Sequence, residues 1–282
     1  MNCYACGSDR TKPSRTVHGI TIFGCDDCRL FWVPDIPIRQ VNEYYADGYF
    51  NLQDSVSGYR DYLAEERLHR KNSRILLKAA LRCFQSRGKR RVLDVGCAYG
   101  FLLDEARKMG LEGHGVELSE KAALYARDAL HLDVRRGTLH AQGFPEAHFD
   151  MIFVVGTLEH LTDPLRELEE IARLLRPDGV LVITTINTEG LLPFFSWKPP
   201  EHLYYFSARN LAMLLEKSSL GILSVRTHWS YYRVTDLLYR MRQFFSARVQ
   251  DPATKLLGRT KPGGCYLKIP TNEMRVIARR KT

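Results

Sequence analysis

Four cysteines stand in two close pairs near the start of the 282-residue chain. Two residues separate Cys3 from Cys6, and two separate Cys25 from Cys28. Together the pairs offer four thiolates, the ligand set of a tetrahedral structural zinc ion, with no position left open for catalysis. A unit of about 30 residues buries too little surface to fold unaided, so the metal would supply its stability. Disulfides remain the alternative interpretation of this spacing.

A second group of residues with chemical potential follows the apolar run that begins VLDVGCAYG at residues 92–100. Small residues where a buried strand stops let the backbone approach a ligand at the start of the next helix. Glu117 ends the next strand about 20 residues later, where a carboxylate can accept both hydroxyls of a ribose. The pattern predicts a nucleotide-type cofactor.

Alternating strands and helices must position this second group. The succession predicts an α/β fold with a doubly wound, mainly parallel sheet. FDMIFVVG at 149–156 is almost continuously apolar, which is typical of a central strand covered on both faces. Strands are predicted at 91–95, 113–118, 132–137, 149–156 and 180–186, and helices at 101–110, 120–130 and 164–177, with N-caps at Ser119 and Asp163.

The flanking segments divide the chain into three predicted parts. Residues 1–33 form the zinc-ribbon-like unit, 34–87 a connector and helical lid, and 88–282 the cofactor-binding core. Within the core, 187–206 and 230–270 are expected to be insertions. The lid helix is predicted over 60–85, and later elements are a helix at 208–218, a strand at 221–229, a helix over 231–249 and a last strand at 274–281.

The composition is that of an ordinary globular protein, 45% hydrophobic and 26% charged. No apolar run reaches the roughly 18 residues that would span a bilayer, and the first residues lack the apolar core of a signal peptide. We therefore expect a soluble, cytoplasmic protein without a membrane partner. The net charge of +9 leaves an acidic partner such as RNA or a nucleotide-linked substrate open.

Four segments in this order resemble the motifs of class I S-adenosylmethionine-dependent methyltransferases. They are VLDVGCAYG, GVELSE, FDMIFVVGTLEHLTDP and LLRPDGVLVITT. The N-terminal cysteines and the segment PEHLYYFS resemble a subgroup with a zinc-binding N-terminus, similar to ubiquinone-pathway O-methyltransferases and to enzymes that modify sugars or natural products. The resemblance implies a Rossmann-like seven-stranded sheet carrying a small zinc ribbon.

The resemblance also implies where S-adenosylmethionine would lie. The turn would pass under its methionine and ribose, Glu117 would hold the ribose hydroxyls, and Leu118 would lie against adenine. Ala98 replaces a more usual glycine, and Thr138 stands where the family often has aspartate. The implied cofactor-binding residues are Asp94, Gly96, Ala98, Gly100, Glu117, Leu118, Thr138, Leu139, Gly156 and Thr157.

Candidate catalytic residues follow two predicted strands at the carboxyl edge of the sheet, where ligands of open α/β sheets bind. Glu159 and His160 come after the fourth strand, and His202 comes after the fifth. Histidine suits the removal of a proton from a hydroxyl acceptor near neutral pH. The relatives can hold a divalent metal here with an E-x-x-E-H arrangement. Gly156 stands in place of its first glutamate, so we expect no catalytic metal.

The favoured function is therefore methyl transfer from S-adenosylmethionine to a small molecule, most simply a hydroxyl of a sugar or natural product, leaving S-adenosylhomocysteine. Two alternatives stay open. One is an RNA methyltransferase whose zinc ribbon grips RNA, although the ribbon is only mildly basic. The other is a non-catalytic protein with the same fold, against which Glu117 and the small-residue turn argue.

Overall fold

The computed structural model describes residues 1–34, 62–84, 90–190, 197–234 and 266–281, which form two sheets and five α-helices within those ranges. The strands are β1 Thr11–Val17, β2 Ile20–Cys25, β3 Phe31–Trp32, β4 Arg91–Val95, β5 Glu112–Glu117, β6 Asp133–Arg136, β7 Phe149–Val155, β8 Leu175–Ile186, β9 Tyr204–Tyr205, β10 Leu220–Arg233 and β11 Tyr266–Arg280. The helices are α1 Glu66–Cys83, α2 Phe101–Lys108, α3 Glu120–Asp128, α4 Pro164–Leu174 and α5 Ala208–Lys217.

The larger sheet has seven strands in the order β10-β11-β8-β7-β4-β5-β6. The five strands from β8 to β6 run parallel. At one edge, β11 pairs antiparallel with β8, and β10 pairs antiparallel with β11. The chain proceeds from β4 through β5 to β6 on one side, then crosses to β7 and β8 on the other. The predicted α/β, Rossmann-like, mainly parallel seven-stranded sheet is confirmed.

The central strands are buried because both faces of the sheet are covered. Ile152 and Val154 of β7 join one hydrophobic cluster with α4 and α5, whereas Met151 and Phe153 join a second cluster with α1, α2 and α3. Alternating residues of one strand therefore enter different cores, which requires the continuous apolar run seen in the sequence.

The predicted helix starts at Ser119 and Asp163 are confirmed, since each side chain accepts a hydrogen bond from the first turn of its helix. The end of α4 was predicted three residues too late. The helix stops at Leu174, and β8 begins at once with Leu175 in an extended conformation. Pro177 explains the difference, because proline disfavours helical geometry at the residue before it.

The predicted helix over 231–249 is wrong at its start. Residues 231–233 belong to β10, which pairs with β11 along a long hairpin. Asn72 of α1 donates to the Tyr231 carbonyl oxygen at 3.2 Å and accepts from the Tyr231 N–H at 2.8 Å, as a neighbouring strand would. Local sequence does not reveal these distant partners.

Several predictions fall outside the described residues. They concern the connector at 35–61, the end of the lid helix after residue 84, and the segment 235–265 within the second insertion. None of the helices in the described ranges is both long and apolar enough to cross a bilayer.

Buried ion pairs attach α1 to α2. Asp104 and Glu105 lie on α2 with their carboxylates almost fully buried, and Arg70 of α1 donates to both, at 3.1 Å in the case of Glu105. Lys108 lies 2.8 Å from Asp104. Burial alone would raise the pKa of Asp104, but the hydrogen bonds from Lys108 and Arg70 lower it to about 2.

We predict that Arg70→Met lowers the free energy of unfolding by about 3 kcal/mol, because it leaves two buried carboxylates short of positive charge. Since the folded-state pKa of Asp104 is depressed, its stabilising contribution is present above pH 4 and is lost as pH falls towards 2. In Arg70→Met the folded-state pKa of Asp104 moves closer to its ordinary value, so less stability is lost over this pH interval than in the wild type. Urea denaturation between pH 7 and pH 2.5 measures both effects.

Arg107→Met is the matched control, because Arg107 also pairs with Asp104 but its side chain is half exposed. We expect it to cost about 1 kcal/mol or less. Equal losses in the two variants would contradict the view that Arg70 carries the attachment of α1.

Candidate functional site

The carboxyl ends of β4 and β7 lie side by side, at the point where the chain switches from one side of the sheet to the other. Gly96 follows β4, and a Cβ atom added there would lie 2.6 Å from Oγ1 of Thr157, which follows β7. Gly96 also has a φ of +72°. Only glycine suits this close approach and this backbone conformation.

The turn after β4 is anchored to the end of β5. The N–H groups of Gly96 and Cys97 both donate to the Val116 carbonyl oxygen, at 2.8 and 3.1 Å. Ala98 and Gly100 have φ values of +49° and +79°. Ala98 thus adopts a left-handed conformation that favours the glycine expected there, at a cost of about 1 kcal/mol. Gly100 begins α2 and packs against Ala126 and Leu132 of the neighbouring layer.

Glu117 lies at the end of β5 with its carboxylate directed at the same turn. One oxygen accepts from the Ala98 N–H and the other from the Ser119 N–H, both at 2.8 Å. Each carboxylate oxygen has a further lone pair that can accept from a ligand hydroxyl. Burial raises the pKa of Glu117, although these backbone hydrogen bonds oppose the shift.

Asp94 is the second buried acid of this half of the site, with 3% of its surface exposed. Its Oδ1 has no hydrogen-bond partner among the described residues. Burial, and next the charge of Glu117, raise its pKa to about 8. A buried, unpaired carboxylate is costly. The pair therefore favours a ligand that brings positive charge and hydrogen-bond donors.

The remaining predicted cofactor contacts differ in accessibility. Leu118 is 38% exposed beside Glu117, and Thr138 is exposed after β6. The Leu139 side chain is buried in the main hydrophobic cluster, so in this structure it supports the sheet. Gly156 has a φ of +57°, and its N–H donates to the Thr184 carbonyl oxygen at 2.9 Å. Cys97 is buried against Gly115, and burial raises its thiol pKa, so it is no nucleophile.

The structure brings together the three predicted catalytic residues. Glu159 and His160 lie in a short 3₁₀ turn after β7, and the His202 ring centroid is 4.9 Å from that of His160. Glu159 and His202 are both buried. His202 is distant in sequence from the adjacent residues Glu159 and His160, yet the three side chains form one cluster.

Backbone and side-chain hydrogen bonds orient this cluster. The Thr185 hydroxyl donates to Glu159 Oε2 at 2.7 Å, and His160 Nδ1 lies 2.7 Å from the Glu201 carbonyl oxygen. A carbonyl can only accept, so Nδ1 carries the proton and Nε2 has the lone pair. Burial lowers the pKa of His160 and keeps the ring neutral near pH 7. Burial also raises the pKa of Glu159 to about 7.

The same cluster offers three metal-ligand atoms within 4.8 Å of one another. Two imidazoles and a carboxylate suit several divalent metals, so the substitution of Gly156 for a glutamate does not by itself remove the capacity to bind one. The predicted absence of a catalytic metal stays a prediction, and experiment must decide between a base and a metal.

The four N-terminal cysteines form a second cluster of ligand atoms. The Sγ atoms of Cys3 and Cys28 are 3.5 Å apart, and those of Cys6 and Cys25 are 3.6 Å apart. All four sulfurs lie within 4.8 Å of one another. Zinc–sulfur bonds of about 2.3 Å in a tetrahedron separate the sulfurs by about 3.8 Å, whereas a disulfide needs about 2.0 Å. The geometry suits zinc, and the four residues are free thiols.

Several residues that shape the site were missed from sequence. Thr185 had a visible signal, because it is one of two threonines in the apolar strand VLVITTI. Glu201 acts through its backbone, as does Val33, whose N–H donates to the Leu203 carbonyl oxygen at 2.8 Å. Backbone contacts leave no mark on residue type, so sequence gave no sign of them.

Solved structures share the fold at low sequence identity. An S-adenosylmethionine-dependent methyltransferase from Archaeoglobus fulgidus aligns with a TM-score of 0.52 and 21% identity, covering 78% of this chain and 99% of its own. A Haemonchus contortus methyltransferase, solved with phosphomonomethylethanolamine and S-adenosylhomocysteine, aligns at 0.54 and 18% identity over 78% and 57% of the two chains. The cyclase SpnF also aligns, at 0.51 and 18% identity over 86% and 90%.

Curated relatives match part of the sequence. Two proteins named ubiquinone biosynthesis O-methyltransferase are similar: one from Thiobacillus denitrificans, 36% identical over 106 residues, and one from Alkalilimnicola ehrlichii, 33% identical over 120 residues. The matches cover 35% and 40% of this chain. They span 45% and 49% of the relatives, a little under half of their length.

The family description "Methyltransferase domain" matches residues 64–225, which is more than half of the chain. The match includes the turn after β4, Glu117 and the Glu159–His160–His202 cluster. It confirms the resemblance indicated by the four sequence motifs, and the chain belongs to the methyltransferase domain family.

Proposed function

We propose that the protein transfers a methyl group from S-adenosylmethionine to a hydroxyl of a small molecule. The observation that carries the proposal is the shared location of two unlike clusters at one crevice. The ends of β4 and β5 provide the buried carboxylates Asp94 and Glu117, and the turn after β7 provides a buried acid and a histidine beside His202. The first cluster suits a cationic nucleoside cofactor, and the second suits an acceptor that must lose a proton.

The charge of the cofactor half supports S-adenosylmethionine. Asp94 has an unsatisfied buried oxygen, and Gly96 lets the turn after β4 lie close to Thr157. Asp94 and the turn would hold the amino-acid part, and Glu117 the ribose hydroxyls. Leu118 and Thr138 are proposed to flank adenine, with Leu139 supporting them from the core, and Gly156 and Thr157 to lie near the methyl group. When bound, the cofactor supplies an electrophilic methyl group.

The acceptor half provides a proton acceptor of defined orientation. His160 holds its Nδ1 proton against the Glu201 carbonyl oxygen, so Nε2 can take the proton of an acceptor hydroxyl. His202 and Glu159 lie beside it and can stabilise the positive charge that forms on the ring. Alignment of the hydroxyl with the methyl group supplies the rest of the acceleration, up to about 7–11 kcal/mol.

The acceptor class is proposed as a sugar or natural product. The named activity of the curated relatives supports oxygen as the methylated atom. One aromatic side chain supports a flat or ring-shaped acceptor: the partly exposed Trp197 ring lies 4.6 Å from the buried Tyr205 ring, which is 6.1 Å from His202.

RNA is the less favoured acceptor because ion pairs neutralise much of the N-terminal unit's charge. Arg10 pairs with Asp27, and Lys12 pairs with Asp26 at 2.9 Å. A bound zinc ion with four thiolates adds a net charge of −2. A free basic stripe, which RNA binding needs, is not formed by these residues. The N-terminal unit is proposed to bind structural zinc through Cys3, Cys6, Cys25 and Cys28.

The proposed reaction is tested with methyl-labelled S-adenosylmethionine and an extract of the source cells, split into RNA and low-molecular-weight fractions. We expect label in a small molecule with the wild-type protein. Glu117→Ala should give none, because the ribose loses its acceptor carboxylate. Label confined to RNA would replace the proposed acceptor, and no label in either fraction would favour a non-catalytic protein.

We predict that cofactor binding at pH 7 releases close to one proton. With a pKa of about 8, Asp94 is mostly protonated in the free protein and should ionise beside a cationic ligand. Affinity should therefore rise as pH increases from 6.5 to 8. Calorimetry in two buffers of different ionisation enthalpy measures the released proton.

The Asp94→Asn variant should bind the cofactor more weakly than the wild type and release almost no proton on binding. Asp133→Asn is the matched control, because Asp133 is an exposed acid on β6. A release by Asp94→Asn equal to that of the wild type would assign the proton to another group.

We predict that His160→Gln lowers kcat by about 10²–10⁴-fold, the range expected for loss of a general base, and leaves the cofactor Kd within about twofold. Because burial lowers the pKa of His160, protonation of its ring should lower the wild-type rate only below the pH range usual for histidine. Steady-state kinetics with the acceptor found by labelling measure both. His140→Gln, on the exposed turn after β6, is the control.

Metal analysis of the same variants separates a base from a metal. The base mechanism requires one zinc per chain, at the cysteines, in wild type and His160→Gln alike. A second metal equivalent that disappears in His160→Gln, with activity restored by adding that metal to stripped wild type, would replace the base mechanism.

A further inference from the structure

We propose that the four-cysteine unit, residues 1–33, positions His160 and His202. The hydrogen bond donated by the Val33 N–H would link the unit to the segments that carry both histidines. The inference rests on the proposed function only for its effect on turnover. The segment through which the unit would act is residues 201–205, which we call the acceptor wall. The wall carries His202, accepts the His160 hydrogen bond at Glu201, and lies between the cysteine unit and the turn after β7.

The acceptor wall is a strand of the N-terminal sheet. The four-stranded sheet has the order β1-β2-β3-β9, and β9 is part of the wall. Trp32 pairs with Tyr204 and Phe31 with Tyr205 in antiparallel register. Without β9 the unit would expose a strand edge, and without β3 the wall would lose its only strand partner among the described residues.

Leu203 is held from both sides by the backbone. Its carbonyl oxygen accepts from the Val33 N–H, and its own N–H donates to the Glu159 carbonyl oxygen, each at 2.8 Å. A path of two hydrogen bonds therefore connects Val33 of the four-cysteine unit, through Leu203, to Glu159. Glu159 lies in the 3₁₀ turn after β7, which we call the catalytic turn. His202, which precedes Leu203, and Glu159, at the far end of the path, are both members of the candidate catalytic cluster.

The cysteines themselves fix the start of this path. The Cys25 N–H donates to the Leu30 carbonyl oxygen at 3.0 Å, which closes the turn that leads into β3. The Cys28 carbonyl oxygen accepts from Asn210 Nδ2 at 3.3 Å, and Asn210 also caps α5. Metal bound by Cys25 and Cys28 would lock the turn, and release of the metal would loosen β3 and the wall.

A second anchor lies on the opposite side of the catalytic turn. Tyr4 stands between two cysteines, and its hydroxyl bonds to the carboxylate of Asp163 and accepts from the Leu165 N–H at 2.8 Å. Asp163 caps α4 and Leu165 lies in its first turn, three and five residues after His160. The unit thus touches both segments that carry the histidines, whereas the Gly96 N–H and the Glu117 carboxylate bond to β5, the turn after β4 and the residue that caps α3.

The division of contacts predicts a division of effects. Loss of the Val33 hydrogen bond, or of zinc, should displace the histidines and lower turnover while cofactor affinity stays within about twofold. If the unit only stabilised the chain, or only bound a partner, these changes would not alter the geometry of the histidines. They would also not lower turnover selectively over cofactor affinity.

The test compares Val33→Pro, which removes the donor N–H, with Val33→Ala, which keeps it and only trims the side chain. Long-range proton–nitrogen NMR of the histidine rings reports the Nδ1 proton of His160 and its hydrogen bond. We expect an altered His160 signal and at least a tenfold lower kcat in Val33→Pro, and wild-type behaviour in Val33→Ala. Calorimetry measures cofactor Kd in the same preparations.

Stepwise removal of zinc from the wild-type protein with a chelator is the second measurement, and it stands if Val33→Pro does not fold. The His160 signal should change in step with zinc loss and return when zinc is added back. Unchanged His160 signals in folded Val33→Pro, or in the zinc-free protein, would overturn the inference. Failure of the proposed function would show separately, as wild-type protein without cofactor binding or turnover, because the NMR readout needs neither.

Discussion

The site depends on the position of β4 between β5 on one side and β7 on the other. Because the chain leaves β4 and β7 in opposite directions, their carboxyl ends must open a crevice. Gly96 can approach Thr157 there only because it has no side chain. The sheet order thereby determines where a ligand can enter, before any individual side chain determines which ligand it is.

Buried carboxylates give that crevice its chemical character. Asp94, Glu117 and Glu159 are all buried, and burial raises the pKa of each. Hydrogen bonds offset part of the cost for Glu117 and Glu159, whereas one oxygen of Asp94 has no partner among the described residues. The remaining cost is a reason for the site to bind a cation. In contrast, the equally buried Asp104 is paired with arginine and lysine, and its role is to hold α1 against α2.

The N-terminal unit and the catalytic core share strands and hydrogen bonds. Trp32 belongs to the same hydrophobic cluster as Leu158 and Leu203, so the two parts have one core on that side. Such continuity explains how a site built from segments 40 residues apart can keep two histidine rings at a centroid distance of 4.9 Å. The loops that carry reactive groups are held by backbone bonds at both ends, which limits their motion.

The sequence by itself determined the succession of strands and helices, the caps and the chemical types at the site, because each of these depends on neighbouring residues. The apolar run of β7, the N-cap at Asp163 and the glycines after β4 are local signals. Only the tertiary structure decided that β10 extends through Tyr231 and that Leu203 links the cysteine unit to Glu159. These outcomes depend on partners distant in sequence and on backbone groups that every residue carries. The residue types therefore do not reveal them.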